Sequence, residues 1–426
     1  MKQFPAVVSA IAALSVLVSA CSPGASASIA QSNLRRISDP AVPSSDMSAL
    51  VQGDNAFALD LYAAVRAADG NLAFSPFSIS EALAMTYAGA RGTTESQMAQ
   101  ALHYTLPQDR LHPAFNQLDQ DLSTEGKATA DVKTPLQLNI ANAVWAEKTF
   151  SFLQSYLDAI ARNYGAGIQL ADFINQREAV RQQINDWVAK QTNDKIKDLI
   201  PAGALDAYTR MVLVNALYFK ADWQSPFDPA NTSDGPFHLL DGSQVQAKMM
   251  SDEFGGVPYA AGDGYQAIEL PYAGNMAAMD LIVPDADSFQ KFENDLTQAK
   301  LEEILETMQP TGMQLSMPKF TFHSSFDLGE KLAALGMSDA FSADRADFSA
   351  MTGKRDLYIT KVLHQAYVAV DEQGTEAAAA TSVIMGLTAA RIPDQTLKID
   401  RPFIFVIRDL GGGQILFIGR VTDPTK

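Results

Sequence analysis

Apolar residues in the first half of the chain recur at helical spacing. Phe57, Leu61 and Val65 lie one turn apart and define a buried stripe, with Asp54 or Asn55 placed to cap the helix and Gly70-Asn71 to end it. A second helical pattern runs through Glu81-Ala82-Leu83-Ala84-Met85 and stops near Gly92. Others cover Phe152 to Tyr164 and Ile184 to Ile200, the latter with Ile184, Trp187, Val188 and Ile196 on one face. After Pro201 the period changes. Met211-Val212-Leu213-Val214 is a continuous apolar run, as in a strand buried on both faces. Gln266 to Tyr272 and Ala277 to Pro284 read as strands joined by a Gly274-Asn275 turn. Leu357 to Leu363 and Ala366 to Val370 carry the β-branched and aromatic residues of one long buried strand, predicted to run on to Gly374. Helices first, strands later and one hydrophobic unit predict an α+β chain without repeats.

That last strand leads into an unusual segment. Asp371-Glu372-Gln373-Gly374-Thr375-Glu376-Ala377-Ala378-Ala379-Ala380-Thr381 contains no proline and no large ring. Propensity alone would make Glu376 to Ala380 a helical turn. The strand before it favours a different reading, because such small residues can leave a sheet as a loop or enter it as a new strand with little steric resistance. If Thr375 faces inward, the period of two places Ala377, Ala379, Thr381, Val383 and Met385 inward as well, and Glu376 outward.

Composition narrows the function. The 426 residues are 47% hydrophobic and 19% charged, ample for a large core. A formal charge of -17 argues against nucleic acid as a partner, since that affinity comes from Lys and Arg neutralising phosphate. The five histidines (His103, His112, His238, His323 and His364) show no metal-ligand spacing, and Cys21 is the one cysteine, so neither a metal nor another cofactor is expected. Ser316-Met317-Pro318-Lys319 fits a Ser-x-x-Lys nucleophile motif, but its flanks alternate like a strand, which would put the two side chains on opposite faces.

Cys21 ends an apolar run from Phe4 to Val18 behind a basic start, Met1-Lys2. The run is short for a membrane span and suits a signal peptide over residues 1–20. Val18-Ser19-Ala20-Cys21 resembles a bacterial lipobox, which implies lipidation at Cys21 and an exported outer-membrane lipoprotein; the alternative is an ordinary secretory signal. Residues 21–50, rich in Ser, Ala and Pro at their start, read as a flexible tether before a folded unit at 51–426.

The hinge-like segment, with several other runs, resembles the serpin family over most of the chain. Asn71 to Ser80, Asn215 to Trp223, Phe326 to Phe341, Ala346 to Ser349, Asp400 to Phe405 and Phe417 to Val421 match its motifs in order. The resemblance implies a single large domain with helices packed on a central sheet, smaller sheets and an exposed reactive-centre loop at about 374–396. It implies an inhibitor of proteases, not an enzyme. The loop is bait; once cut, it inserts into the central sheet and traps the protease as an acyl-enzyme. Glu372, Gly374, Thr375, Glu376, Ala377, Ala378, Ala379, Ala380 and Thr381 match the family's hinge. Lys319 matches the lysine that pairs with the hinge glutamate, and Trp223 the aromatic over the sheet's upper entrance. Ser75, Ser78, Asn215 and His364 match the polar cluster under its centre.

Glu372 through Thr388 is seventeen residues, about the family's distance from hinge glutamate to cut residue. That count selects Thr388-Ala389. Leu387-Thr388 is a second choice, and Arg391-Ile392 would suit a trypsin-like pocket. Elastase-like, chymotrypsin-like or papain-like targets are therefore favoured, for a protein expected to be a monomer. The rival is a non-inhibitory binding or structural lipoprotein that kept the fold and lost the trap.

Overall fold

The computed structural model describes residues 28–125, 136–375 and 393–426. In chain order the strands are β1 Ser28–Ala30, β2 Leu72–Phe74, β3 Gln137–Glu147, β4 Ile168–Ala171, β5 Met211–Asp222, β6 Ser233–His238, β7 Gln244–Gly262 and β8 Tyr265–Pro271. They continue as β9 Ala277–Pro284, β10 Gln309–Pro318, β11 Phe320–Asp327, β12 Lys361–Val370, β13 Gly374–Thr375, β14 Gln395–Lys398, β15 Phe403–Asp409 and β16 Ile415–Val421. The central sheet has the order β1-β4-β3-β5-β13-β12-β11; β2, β6–β10 and β14–β16 build a second. The first helices are α1 Ser44–Val65, α2 Pro76–Tyr87, α3 Gly92–Ala101, α4 Gln108–Glu125, α5 Gln154–Tyr164 and α6 Phe173–Gln191. This is the expected α+β architecture in one domain.

Strand β5 shows how the sequence divides two cores. Met211, Leu213, Leu217 and Phe219 join the main core, which includes α1, α2 and the second sheet. Val212, Val214 and Ala216 point the other way, onto Phe173, Val180, Ile184 and Val188 of α6. Both faces are covered, so the run has no polar alternation to show. The one polar residue in its middle, Asn215, falls on the α2 side by the same period of two.

Several boundaries differ from the sequence reading. Residues 28–50 are not a free tether. Ser28–Ala30 pairs antiparallel with Ile168–Leu170 as a sheet edge, and the Ile37 amide donates to Arg162 O at 2.9 Å. Arg36 binds Asp119 at 2.6 Å and Asn116 Oδ1 at 2.6 Å. Composition could not show this docking, because the contacts are backbone pairing and charge with distant helices. Helix α1 begins at Ser44, ten residues before the proposed caps: Asp54 is buried inside it, and Asn55 instead bonds Gly413 and Ile415. Helix α2 ends at Tyr87, and Gly92 starts α3. Helix α6 ends at Gln191, although Ile196, Leu199 and Ile200 beyond it are buried in the same core. Residues 357–360 precede β12, which starts at Lys361.

Ser316 and Lys319 are separated more thoroughly than alternation required. Ser316 lies in β10 of the second sheet, and Lys319 stands in the crossing to β11 of the central sheet. No nucleophile-base pair is formed.

Candidate functional site

The predicted strand to Gly374 is broken by a reversal. Strand β12 ends at Val370, and Asp371 makes a tight turn: its Oδ1 accepts from the Gln373 amide at 2.8 Å and the Gly374 amide at 3.3 Å, while its own amide donates to Gly374 O at 2.9 Å. A short acceptor side chain at the head of a turn does this readily. The chain therefore re-enters the sheet antiparallel. Thr375 pairs with Val370 on one side and Ala221 on the other, so β13 is wedged between β5 and β12. Below the wedge β5 and β12 pair directly and in parallel, from Lys361 opposite Val212 to Tyr367 opposite Tyr218.

The wedge is held by several groups. Lys319 Nζ is 2.6 Å from Glu372 Oε2, and Thr232 Oγ1 donates to Glu372 Oε1 at 2.8 Å. Burial works against the Glu372 charge, yet the Lys319 hydrogen bond leads the partners that hold its carboxyl below the usual range. Backbone amides of Phe227 and Trp223 donate to Glu372 O at 2.9 Å and Gln373 O at 2.7 Å. The Trp223 indole N–H donates to Asp371 O at 3.0 Å, and its ring stacks on Tyr272 at 4.7 Å. Tyr272 in turn bonds its hydroxyl to Thr375 Oγ1 at 2.7 Å inside the core. Gly374 is needed for closeness: a Cβ there would stand 2.1 Å from Ala221 O. Glu376 to Thr381, Leu387, Thr388, Ala389, Arg391 and Ile392 lie outside the described residues, as does Cys21.

A second polar assembly lies lower in the same seam. Asn215 on β5 and His364 on β12 are register partners, and His364 Nδ1 bonds Asn215 Oδ1. The Ser75 amide donates to His364 Nε2 at 3.3 Å, and Ser75 Oγ caps α2 by accepting from the Ser78 amide at 3.2 Å. Asn215 Nδ2 donates to Ser78 Oγ and to Asn142 Oδ1 of β3. Burial pushes His364 down to about 3, so the imidazole is neutral at physiological pH. The four residues expected to cluster are thus in contact.

Sequence reasoning missed Asn142, Tyr272 and Thr232 among these contacts. Asn142 left a signal, as the one polar residue in Ile140-Ala141-Asn142-Ala143-Val144. Tyr272 and Thr232 left none, since their partners are about one hundred or more residues away. Among the described residues no group of three or more His, Cys, Asp or Glu could hold a metal ion.

The two-sheet fold agrees with comparisons to known proteins. The profile of the family described as Serpin (serine protease inhibitor) matches residues 52–424. The chain belongs to the serpin family. It is 38% identical over 376 residues to the leukocyte elastase inhibitor of Xenopus laevis, covering 86% of this chain and 97% of that one. The leukocyte elastase inhibitor of Sus scrofa is 39% identical over 394 residues, covering 89% and 100%. The crystal structure of the thermophilic serpin tengpin in the native state superposes with a TM-score of 0.82 at 30% identity, covering 93% and 99%.

Proposed function

We propose that this serpin inhibits endopeptidases as a suicide substrate, by inserting its cut reactive loop between β5 and β12. The observation that carries the reading is the wedged β13. Gly374 and Thr375 already occupy the top of the seam into which the following residues would pass. Insertion would separate the seven parallel register pairs between β5 and β12 and replace them with an antiparallel ladder on each side of the new strand. Antiparallel pairing is slightly the more favourable per residue, and each added backbone hydrogen bond contributes about 1 kcal/mol net. Thr375 faces the main core, so the residues at every second position after it, Ala377, Ala379 and Thr381, would enter the same face. All are small enough to pass over the Asn215–His364 cluster.

The reaction divides between two proteins. The protease serine or cysteine attacks the carbonyl of the cut residue, Thr388 or Leu387, and releases the new amine at the next residue. The acyl bond to this chain persists because insertion carries the protease away from its own geometry before water can attack. Thr388-Ala389 and Leu387-Thr388 favour elastase-like, chymotrypsin-like or papain-like pockets, and relatedness to leukocyte elastase inhibitors supports the first. Incubation with a panel of such proteases tests the reading. A gel-stable complex, with mass mapping of the released peptide to residues 387–392, is the expected result; loop cleavage without any complex would support the non-inhibitory rival.

Our reading also keeps Cys21 as a lipid attachment point. The docked segment from Ser28 then leaves only residues 22–27 between anchor and body. Substituting Cys21→Ser should abolish lipid labelling while leaving inhibition intact.

A further inference from the structure

Helix α2 is buried along its whole length, and one residue in it is acidic. Glu81 is 7% exposed at a position where alanine would serve the helix better and avoid the desolvation of a carboxyl. Its Oε2 accepts from Asn142 Nδ2 at 2.8 Å, and Asn142 Nδ2 also donates to Ser78 O at 3.1 Å. Glu81 therefore stands at one end of the polar assembly, and the Ser75 amide at the other.

The direction of the assembly follows from that amide. A backbone N–H can only donate, so His364 Nε2 must accept and the imidazole proton must sit on Nδ1. Nδ1–H then donates to Asn215 Oδ1, which turns the Asn215 amide so that Nδ2 donates to Asn142 Oδ1. The Asn142 amide is turned in the same sense, and its Nδ2 needs an acceptor. Glu81 supplies it. Donors run one way through β12, β5 and β3, with both ends fastened to α2.

We propose that Glu81 is the terminal acceptor that fixes the direction of this chain across the β5–β12 seam, and thereby sets the barrier to strand insertion. Without it Asn142 keeps only Ser78 O as acceptor and its amide is free to flip. The flipped amide presents NH₂ to the NH₂ of Asn215, and the closed seam loses its single satisfied arrangement. Insertion must part His364 from Asn215, so whatever holds that pair in register slows the opening. Glu81 is a positioning residue, separated by one side chain, Asn142, from the pair it governs. Burial, followed by the nearby Asp119 charge, pushes its carboxyl up to about 8. At neutral pH it is thus the uncharged acid, which glutamine reproduces in shape, charge and acceptor.

The inference rests on the insertion reading, and the test separates the two. Wild type, Glu81→Gln and Glu81→Leu are warmed mildly without protease, and conversion to the inserted or polymeric form is followed on native gels. Melting of each loop-cleaved form is measured alongside. Glu81→Leu is expected to convert about tenfold faster, the factor for roughly one lost hydrogen bond. Glu81→Gln should stay within about twofold of wild type, and the cleaved forms of the two variants should melt together. Asn142→Asp cuts the same link from the other side at constant size, and should also convert faster if the Leu variant does not fold. Conversion of Glu81→Leu, or of Asn142→Asp in its place, at the wild-type rate overturns the proposal. So does a Gln variant as fast as the Leu variant, or a Leu variant whose intact and cleaved forms are weakened equally. A wild type that neither converts nor gains stability on cleavage refutes insertion itself, and this inference with it.

Discussion

Lys319 and Glu372 meet at 2.6 Å across the top of the central sheet, with Glu372 mostly buried and Lys319 about one-third exposed. The pair joins the crossing between the two sheets to the turn that feeds the hinge. Its position makes it a clasp on β13. Replacing Lys319 with Ala leaves a carboxylate with Thr232 as its remaining side-chain partner. We expect a loss of about 1–2 kcal/mol in the intact form and earlier polymerisation on warming, read by unfolding curves and native gels.

The same pair has an acid limit. Glu372 is held below its ordinary value of 4.5 in the folded chain, so its contribution is fully present above that value and disappears as pH falls through the folded value. Wild type and Lys319→Ala should therefore differ in stability at pH 6 and converge as the pH drops well below 4.5. A constant difference would place the lysine's contribution in packing rather than charge.

Gly374 approaches Ala221 O more closely than any side chain allows. Gly374→Ala must move β13 or the end of β5, at an expected cost of about 1–3 kcal/mol. If insertion starts at the wedge, as proposed, the variant should also form protease complex more slowly and be turned over more as substrate. The ratio of complex to cleaved product on gels reports it.

Much of this fold was legible because the family's motifs are local runs, and because β8, β9 and the start of β5 are apolar stretches bounded by clear turns. The proposed hinge rests on a different signal: a row of alanines after Gly374 departs from every neighbouring pattern. The reversal at Asp371 was not, since Val370 to Gly374 contains no proline and one glycine and reads as easily straight as turned. Residues 28–50 were misjudged because a segment stitched down by Arg36, Ile37 and backbone pairing looks polar and aperiodic in one dimension. Asn142 was visible in its apolar strand, but its register partner Asn215 is known only from the sheet.

Thr375→Arg tests the inward row. Thr375 is 1% exposed and bonded to Tyr272, so a guanidinium there would have to leave water for the core. Cleavage of the loop should persist and the gel-stable complex should disappear. Stoichiometric trapping by this variant would mean that the hinge need not be buried.

Glu81 and His364 also shape the pH profile of stability. His364 is depressed to about 3, so the unfolded chain binds a proton that the folded chain refuses as pH falls below 6.5, and stability drops on that side. Glu81 is raised to about 8, so the folded chain keeps a proton that the unfolded chain releases above 4.5, and stability declines as pH rises toward 8. Glu81→Gln should remove the second slope. Its stability relative to wild type should grow as pH rises from 4.5 toward neutrality, measured by denaturant titration at several pH values.

Thermal unfolding of the protein before and after a single cut in the reactive loop tests insertion most directly. If residues after Thr375 enter the seam, the cut chain gains a central strand with roughly a dozen hydrogen bonds. Its midpoint should then rise by roughly 20 °C or more. A cut chain that melts at the intact midpoint, with the cut confirmed between residues 387 and 392, would contradict the account.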